Sequence, residues 1–134
     1  MSARDVVTIA FTQPDAMLTL NQRLHWAPKA ARTRSWRTAA YVAALQAIDT
    51  QQIDIPLPMS IVAVSLPVHS LDVRRDPANL YPTIKAAIDG LVDAEIFVDD
   101  DGEHVATVEP SFTKGGDVVV TITPLQPLTS AAGA

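Results

Sequence analysis

The sequence predicts an α/β (α+β) two-layer sandwich, in which two main helices cover one face of a mixed β-sheet. Short runs rich in β-branched residues alternate with two helical segments, in the order β-α-β-α-β-β. The 134 residues, 48% of them hydrophobic, suffice for the core of one domain. We expect this domain to span residues 1–124, followed by a flexible Pro-, Ser- and Ala-rich tail over residues 125–134.

The first half of the chain predicts a strand, a helix and a second strand. Residues 6–12 and 61–66 are rich in Val, Ile and Thr, which favour strands. Between them, Thr33 or Ser35 is predicted to cap a helix that runs to about Ile48.

The second helix is the strongest local signal in the sequence. Pro82 suits a first helical turn, because its missing N–H has no partner there in any case. The helix is predicted to run from residue 82 to about 94, since apolar residues recur at helical spacing. These residues are Ile84, Ala87, Ile88, Leu91 and Val92.

The last strands are predicted over residues 104–108 and 117–123. Residues 113–116, which end in two glycines, separate them and predict a hairpin turn. This hairpin would make part of the sheet antiparallel.

The composition excludes several classes of protein. There is no cysteine, so disulfides and Cys-ligated metal centres are excluded. No apolar run approaches the roughly 18 residues that a membrane span needs. We therefore expect a soluble, cytoplasmic protein without a membrane partner.

Charge is unevenly distributed along the chain. The net charge of −5 argues against binding to nucleic acid, but residues 21–41 carry five Lys and Arg and no acid. Trp26 and Trp36 lie among them, although a tryptophan is more often part of the core than a group that stacks on a nucleic-acid base. Residues 89–103 are acidic and contain no base. A basic aromatic stretch suits a nucleic-acid backbone and its bases, and clustered carboxylates suit Mg²⁺. A solvated helix face beside an acidic loop is the alternative.

Three groups near the second helix suggest chemistry. Asp76 and Asn79 precede it, Lys85 lies in it, and Asp99 and Asp100 follow it. Because such a helix is about 20 Å long, the acids meet only if the flanking segments fold back. If they meet, the carboxylates can hold Mg²⁺ for phosphodiester hydrolysis, and the lysine can stabilise charge on the phosphate.

Each of these groups also has a structural alternative. Asp76 can cap a turn, Lys85 and Asp89 can form an ordinary i, i+4 pair, and the triple Asp run can be a turn. Lys114 can be a charge at a hairpin tip.

The same residues resemble the RusA family of Holliday junction resolvases. The similarity lies in residues 74–80 (RRDPANL), 84–91 (IKAAIDGL) and 97–100 (FVDD), together with residues 20–26 and 113–116. It spans residues 6–123. The resemblance implies a homodimeric, Mg²⁺-dependent endonuclease, with Mn²⁺ as a possible substitute, that cuts four-way junction DNA.

By motif match, the resemblance implies that Asp76, Lys85 and Asp100 are catalytic and that Asp76, Asp99 and Asp100 bind the metal. Asn79 would be the motif asparagine. The second Asp of the family's Asp-x-Asp-Asn motif falls on Ala78, so Asp72 or Asn79 would have to replace that carboxylate. Residues 81–83 form an apparent insertion before the lysine.

We thus expect a structure-selective endonuclease that resolves Holliday junctions. A degenerate junction-binding protein that lacks one metal-ligand carboxylate is the alternative, and a protein unrelated to nucleic acid is the third. The expected phosphate contacts are Arg23, Lys29, Arg32, Arg34, Arg37, Arg74, Arg75 and Lys114.

Overall fold

Two helices and a five-stranded mixed sheet form the fold in a computed structural model, which describes residues 6–21 and 26–125. The predicted α+β class is confirmed. The elements in chain order are β1 (Val7–Phe11), α1 (Trp26–Gln51), β2 (Ser60–Val68), a 3₁₀ helix (Pro77–Leu80), α2 (Tyr81–Asp93), β3 (Val105–Thr107), β4 (Ser111–Lys114) and β5 (Val118–Pro124). The end of the predicted tail, residues 126–134, and Arg23 lie outside the described residues.

The central strand of the sheet is β2, and the strand order is β1-β5-β2-β3. One edge of β2 pairs antiparallel with β5, which in turn pairs antiparallel with β1. The other edge is shared, because β3 pairs parallel with residues 60–62 and β4 pairs parallel with residues 65–68. The break between β3 and β4 contains Pro110, which has no N–H to donate to a ladder.

The predicted terminal hairpin is wrong, although its turn is present. Gly115 and Gly116 have φ values of 69° and 90°, the left-handed conformations that glycine adopts without strain. The strands that they connect lie on opposite edges of β2, and the Gly115 N–H donates to the Val68 carbonyl. The chain therefore crosses the end of β2, a pairing that strand periodicity alone does not reveal.

The first helix begins earlier than predicted. It starts at Trp26, so Pro28 is its third residue, where a missing N–H costs nothing. Thr33 and Ser35 lie inside the helix and donate their hydroxyls to the carbonyls of Lys29 and Ala31. The capping role predicted for them is therefore wrong, because the same hydroxyls bond backward along the helix.

The core lies between the helices and one face of the sheet. Alternate residues of β2 and β5 are buried, as the period of a strand requires. Trp36 is fully buried, packs edge-on against Phe11 and donates its indole N–H to the Ala16 carbonyl at 3.0 Å. No helix in the described part of the chain has both the length and the apolarity needed to cross a bilayer.

The two helices approach closely at Gly90. A Cβ added at this position would lie 2.9 Å from both the Ala40 Cβ and the Tyr41 amide nitrogen of α1, and closer still to the Arg37 carbonyl oxygen. Two of these atoms belong to the backbone, which cannot move as a side chain does. The contact between α1 and α2 therefore requires glycine at this position.

We expect Gly90→Ala to destabilise the protein, because the added methyl group forces the helices apart. The expected loss is about 1–3 kcal/mol in the free energy of unfolding, measured by urea denaturation. Gly102→Ala is the matched control, since nothing lies within 4 Å of its added Cβ. Equal stability of the two variants would contradict the close approach.

Candidate active site

The segment that follows α2 folds back along the helix. The Leu57 N–H donates to the Ile96 carbonyl at 2.7 Å, and both Ile96 and Phe97 are buried. Three residues later, the Asp100 carboxylate accepts a hydrogen bond from the Lys85 ammonium. Because Lys85 is the fifth residue of α2, the acidic run returns to the N-terminal half of the helix.

Lys85 bridges two carboxylates. Its Nζ donates to Asp100 Oδ2 and also, at 2.7 Å, to Asp89 Oδ1 one turn further along α2. The i, i+4 pair is therefore present, but as one part of a larger cluster. We call Lys85, Asp89 and Asp100 the lysine cluster.

The charges of the lysine cluster stabilise one another. Hydrogen bonds to Asp100 and then Asp89 raise the pKa of Lys85 well above its usual value, against a smaller effect of desolvation. The hydrogen bond from Lys85 lowers the pKa of Asp100. Both pKa shifts favour the charged forms of Lys85 and Asp100.

The three consecutive aspartates have different roles. Asp99 Oδ1 accepts the Asp100 N–H at 2.7 Å, and Asp101 Oδ1 accepts the Glu103 N–H at 3.0 Å. Asp101 Oδ1 also lies 2.6 Å from His104 Nδ1, a hydrogen bond that lowers the pKa of Asp101. Asp99 and Asp101 thus order the turn, and Asp100 is the acid that reaches α2.

Asp76 caps the 3₁₀ helix that precedes α2. Its Oδ1 accepts the Ala78 N–H at 3.1 Å, and the residue is exposed. The capping alternative for Asp76 is thus realised. The second carboxylate oxygen is not needed for the cap.

The start of α2 is tied to residues 18–21. Asn79 accepts the Leu20 N–H on its carbonyl and the Asn21 N–H on its side-chain oxygen. The buried Thr83 hydroxyl bonds both the N–H and the carbonyl of Leu18, each at 2.7 Å. Asn79 therefore positions the segment that leads toward α1.

Several predicted cations lie at the carboxyl end of β2. Lys114 is in register with Val68, the last residue of β2, and the loop over residues 69–76 starts there. Within that loop, Arg75 donates to the carbonyls of Ser70 and Val73. Its guanidinium lies 5.6 Å from the Phe112 ring centre in β4.

The remaining groups of this end point to solvent. Arg74 and Lys114 are exposed, and so is Asp72, the proposed substitute for the missing motif carboxylate. Asp76 ends the same loop, so the capping aspartate and these cations share one end of the molecule.

Two of the cations of α1 lie close to a carboxylate, and two others are exposed to solvent. Arg37 forms a two-pronged ion pair with Asp93 at 2.6 and 2.8 Å, which raises the pKa of Arg37 and lowers that of Asp93. Arg32 lies 3.9 Å from an Asp15 oxygen. Lys29 and Arg34 are exposed.

The predicted metal ligands are not gathered into one shell. Over residues 6–21 and 26–125, no group of three or more His, Asp or Glu side chains is arranged to hold a metal ion. What the fold does assemble is a pair of carboxylates, Asp89 and Asp100, converging on one cationic nitrogen. The sequence did not predict that Asp89 and Asp100 contact the same ammonium group, although the spacing between Asp89 and Lys85 already placed these two side chains next to each other.

Comparison of the chain with protein-family models and with curated proteins found no match. The resemblance to the RusA family therefore rests on the quoted residues alone.

We expect Lys85→Met to raise the pKa of Asp100, because the variant loses the ammonium and leaves two carboxylates facing each other. Carbon-detected NMR of the Asp100 carboxyl group measures the change, and Lys114→Met is the control with an exposed lysine.

In the wild type, the lowered pKa of Asp100 contributes stability above about pH 4 that is lost as the pH falls through the lowered value. The raised pKa of Lys85 contributes stability that is fully present below about pH 10.4 and is lost only as the pH rises through the raised value. An unchanged titration of Asp100 would show that the ion pair does not form in solution.

Proposed function

We propose that the protein is a Mg²⁺-dependent, structure-selective DNA endonuclease of the RusA type. It would resolve Holliday junctions by hydrolysing phosphodiester bonds in DNA recombination and repair, as a homodimer in the cytoplasm. The observation that carries the proposal is the lysine cluster, in which the fold-back brings Asp100 to the helix that Asp76 precedes. The fold-back is necessary for Asp76 and Asp100 to act together, and their convergence on one cation is part of the proposal.

The donor chemistry of the site fits a hard divalent cation. Carboxylate oxygens are the ligands that Mg²⁺ and Mn²⁺ prefer, and one of the proposed ligands, Asp100, faces a positive charge beside the Asp89 carboxylate. In the proposal, Asp76, Asp99 and Asp100 hold the ion, which supplies an activated water when bound. Lys85 stabilises negative charge on the scissile phosphate through its ammonium.

The exposed cations support contact with a phosphate backbone. Arg74 and Lys114 lie at the same end of the molecule as Asp76, and Lys29 and Arg34 extend along α1. None of these four takes part in an ion pair with another described residue. A dimer with a two-fold axis suits a junction in which two strands are cut.

A second candidate is a junction-binding protein without catalytic activity. Two observations favour it: the Asp76 carboxylate is used as a helix cap, and position 78 carries alanine where the motif has a carboxylate. Both candidates share the same DNA-binding surface and differ in turnover.

We expect the wild type to nick a labelled four-way junction in Mg²⁺, as resolved on a denaturing gel. Asp76→Asn, Asp100→Asn and Lys85→Met should each lose roughly 100-fold or more in rate, because the two aspartates would hold the ion and the lysine would stabilise charge on the phosphate. Asp49→Asn is the matched control, since Asp49 is exposed on α1 outside the lysine cluster. Absence of cleavage by the wild type in both Mg²⁺ and Mn²⁺ overturns the nuclease proposal.

Ala78→Asp separates the two candidates. If the wild type is an active enzyme, the added carboxylate changes its rate by less than about tenfold. If the wild type binds junctions in EDTA but does not turn over, Ala78→Asp should create Mg²⁺-dependent cleavage, because it restores the motif carboxylate. The measurement is junction binding by gel shift together with single-turnover cleavage.

A further inference from the structure

Several exposed apolar side chains lie close in sequence to the residues of the lysine cluster and of the loop before it. Each lies within a few residues of Asp76, Asn79, Lys85 or Asp100, or hydrogen-bonds to one of them through its backbone. They are Leu20, Leu71, Val73, Tyr81 and Val98, with exposures from 55% to 65%.

Tyr81 is the aromatic member of this group. It is 55% exposed and precedes Lys85 by four residues on α2, so the two side chains stand on the same helix face about 5–6 Å apart at Cβ. Asp89 is one turn further on. Tyr81, Lys85 and Asp89 therefore form one stripe along α2.

The backbone beneath the exposed ring is firmly held. The Tyr81 N–H donates to the Ala78 carbonyl, and its neighbours Leu80 and Thr83 are buried. The two hydrogen bonds between Thr83 and Leu18 fix this turn against the rest of the protein. The ring is thus presented to solvent from a rigid base and loses little conformational freedom when it is covered.

We propose that Tyr81 stacks on the exposed face of a DNA base at the branch point, next to the phosphate that the lysine cluster receives. This inference rests on the proposed function and adds to it the feature of the substrate that the protein reads. The ring offers a flat apolar face, and Lys85, Arg74 and Lys114 offer positive charge at the same end of the molecule. An aromatic face one helical turn from a lysine, with further cations at the same end of the molecule, matches a nucleotide whose base face is open.

Continuous duplex does not fit this surface, because its base faces are covered by neighbouring bases. A branch point exposes such a face, and stacking on it contributes about 1–3 kcal/mol. Tyr81 would then be a positioning residue that favours branched over linear DNA. Its position within the apparent insertion of residues 81–83 makes it a feature of this chain rather than of the motif.

The test uses a four-way junction with 2-aminopurine at the branch point, bound to the full chain in EDTA. The fluorescence of this base falls when an aromatic ring covers it. We expect the wild type and Tyr81→Phe to quench it. Tyr81→Ala should lose the quenching and bind the junction roughly 5- to 100-fold more weakly, with affinity for linear duplex unchanged. Val42→Ala is the control, because Val42 is an exposed apolar residue on α1.

The outcomes separate this inference from the proposed function. If the wild type neither binds nor cuts junctions, the proposed function fails and the inference fails with it. If the wild type cuts junctions and Tyr81→Ala matches it in quenching and in preference for branched DNA, only the inference is overturned. If Tyr81→Ala converts a dimer to a monomer in sedimentation, the ring is a subunit contact, and the inference is again overturned.

Discussion

The candidate site depends on the burial of two apolar residues after α2. Ile96 and Phe97 are almost completely buried, and burying a phenylalanine side chain contributes roughly 1.5–3 kcal/mol. The ion pair between Lys85 and Asp100 is partly exposed on both sides, and such pairs contribute about 0–1 kcal/mol. Apolar burial therefore holds the segment against the helix, and the ion pair only sets where the Asp100 carboxylate points.

Local signals predicted the elements well where the chain follows its own periodicity. The predicted second helix, residues 82–94, differs by one residue at each end from the observed Tyr81–Asp93. The first helix was predicted to start too late, because Thr33 and Ser35 suit a cap by residue type although the helix already begins at Trp26, with Pro28 in its first turn. The pairing of β4 and β5 with opposite edges of β2 was not predictable, since it depends on contacts between residues far apart in the chain.

In the candidate site, too, the sequence predicted the features that depend on local spacing but not those that depend on contacts between distant residues. The Lys85–Asp89 pair follows from spacing within one helix, and the cap of Asp76 follows from its position before Pro77. The approach of Asp100 to Lys85 does not, because the path of the acidic run is set by a hydrogen bond to Leu57 and by the core under Ile96. Because the helix is about 20 Å long, the sequence did not decide whether the segment after it continues straight or folds back along it.

The charges of the site bear on the metal dependence that the proposed function includes. Lys85 contributes one positive charge, whereas Asp89, Asp99 and Asp100 contribute three negative charges in the same region. The lowered pKa of Asp100 keeps its charge in place near neutral pH. A phosphate approaching this group meets net repulsion, and Arg37 cannot relieve it because its charge is already paired with Asp93. In the proposed function, the exposed Arg74 and Lys114 would hold the backbone nearby, and a divalent cation at the carboxylates would offset this repulsion at the scissile phosphate.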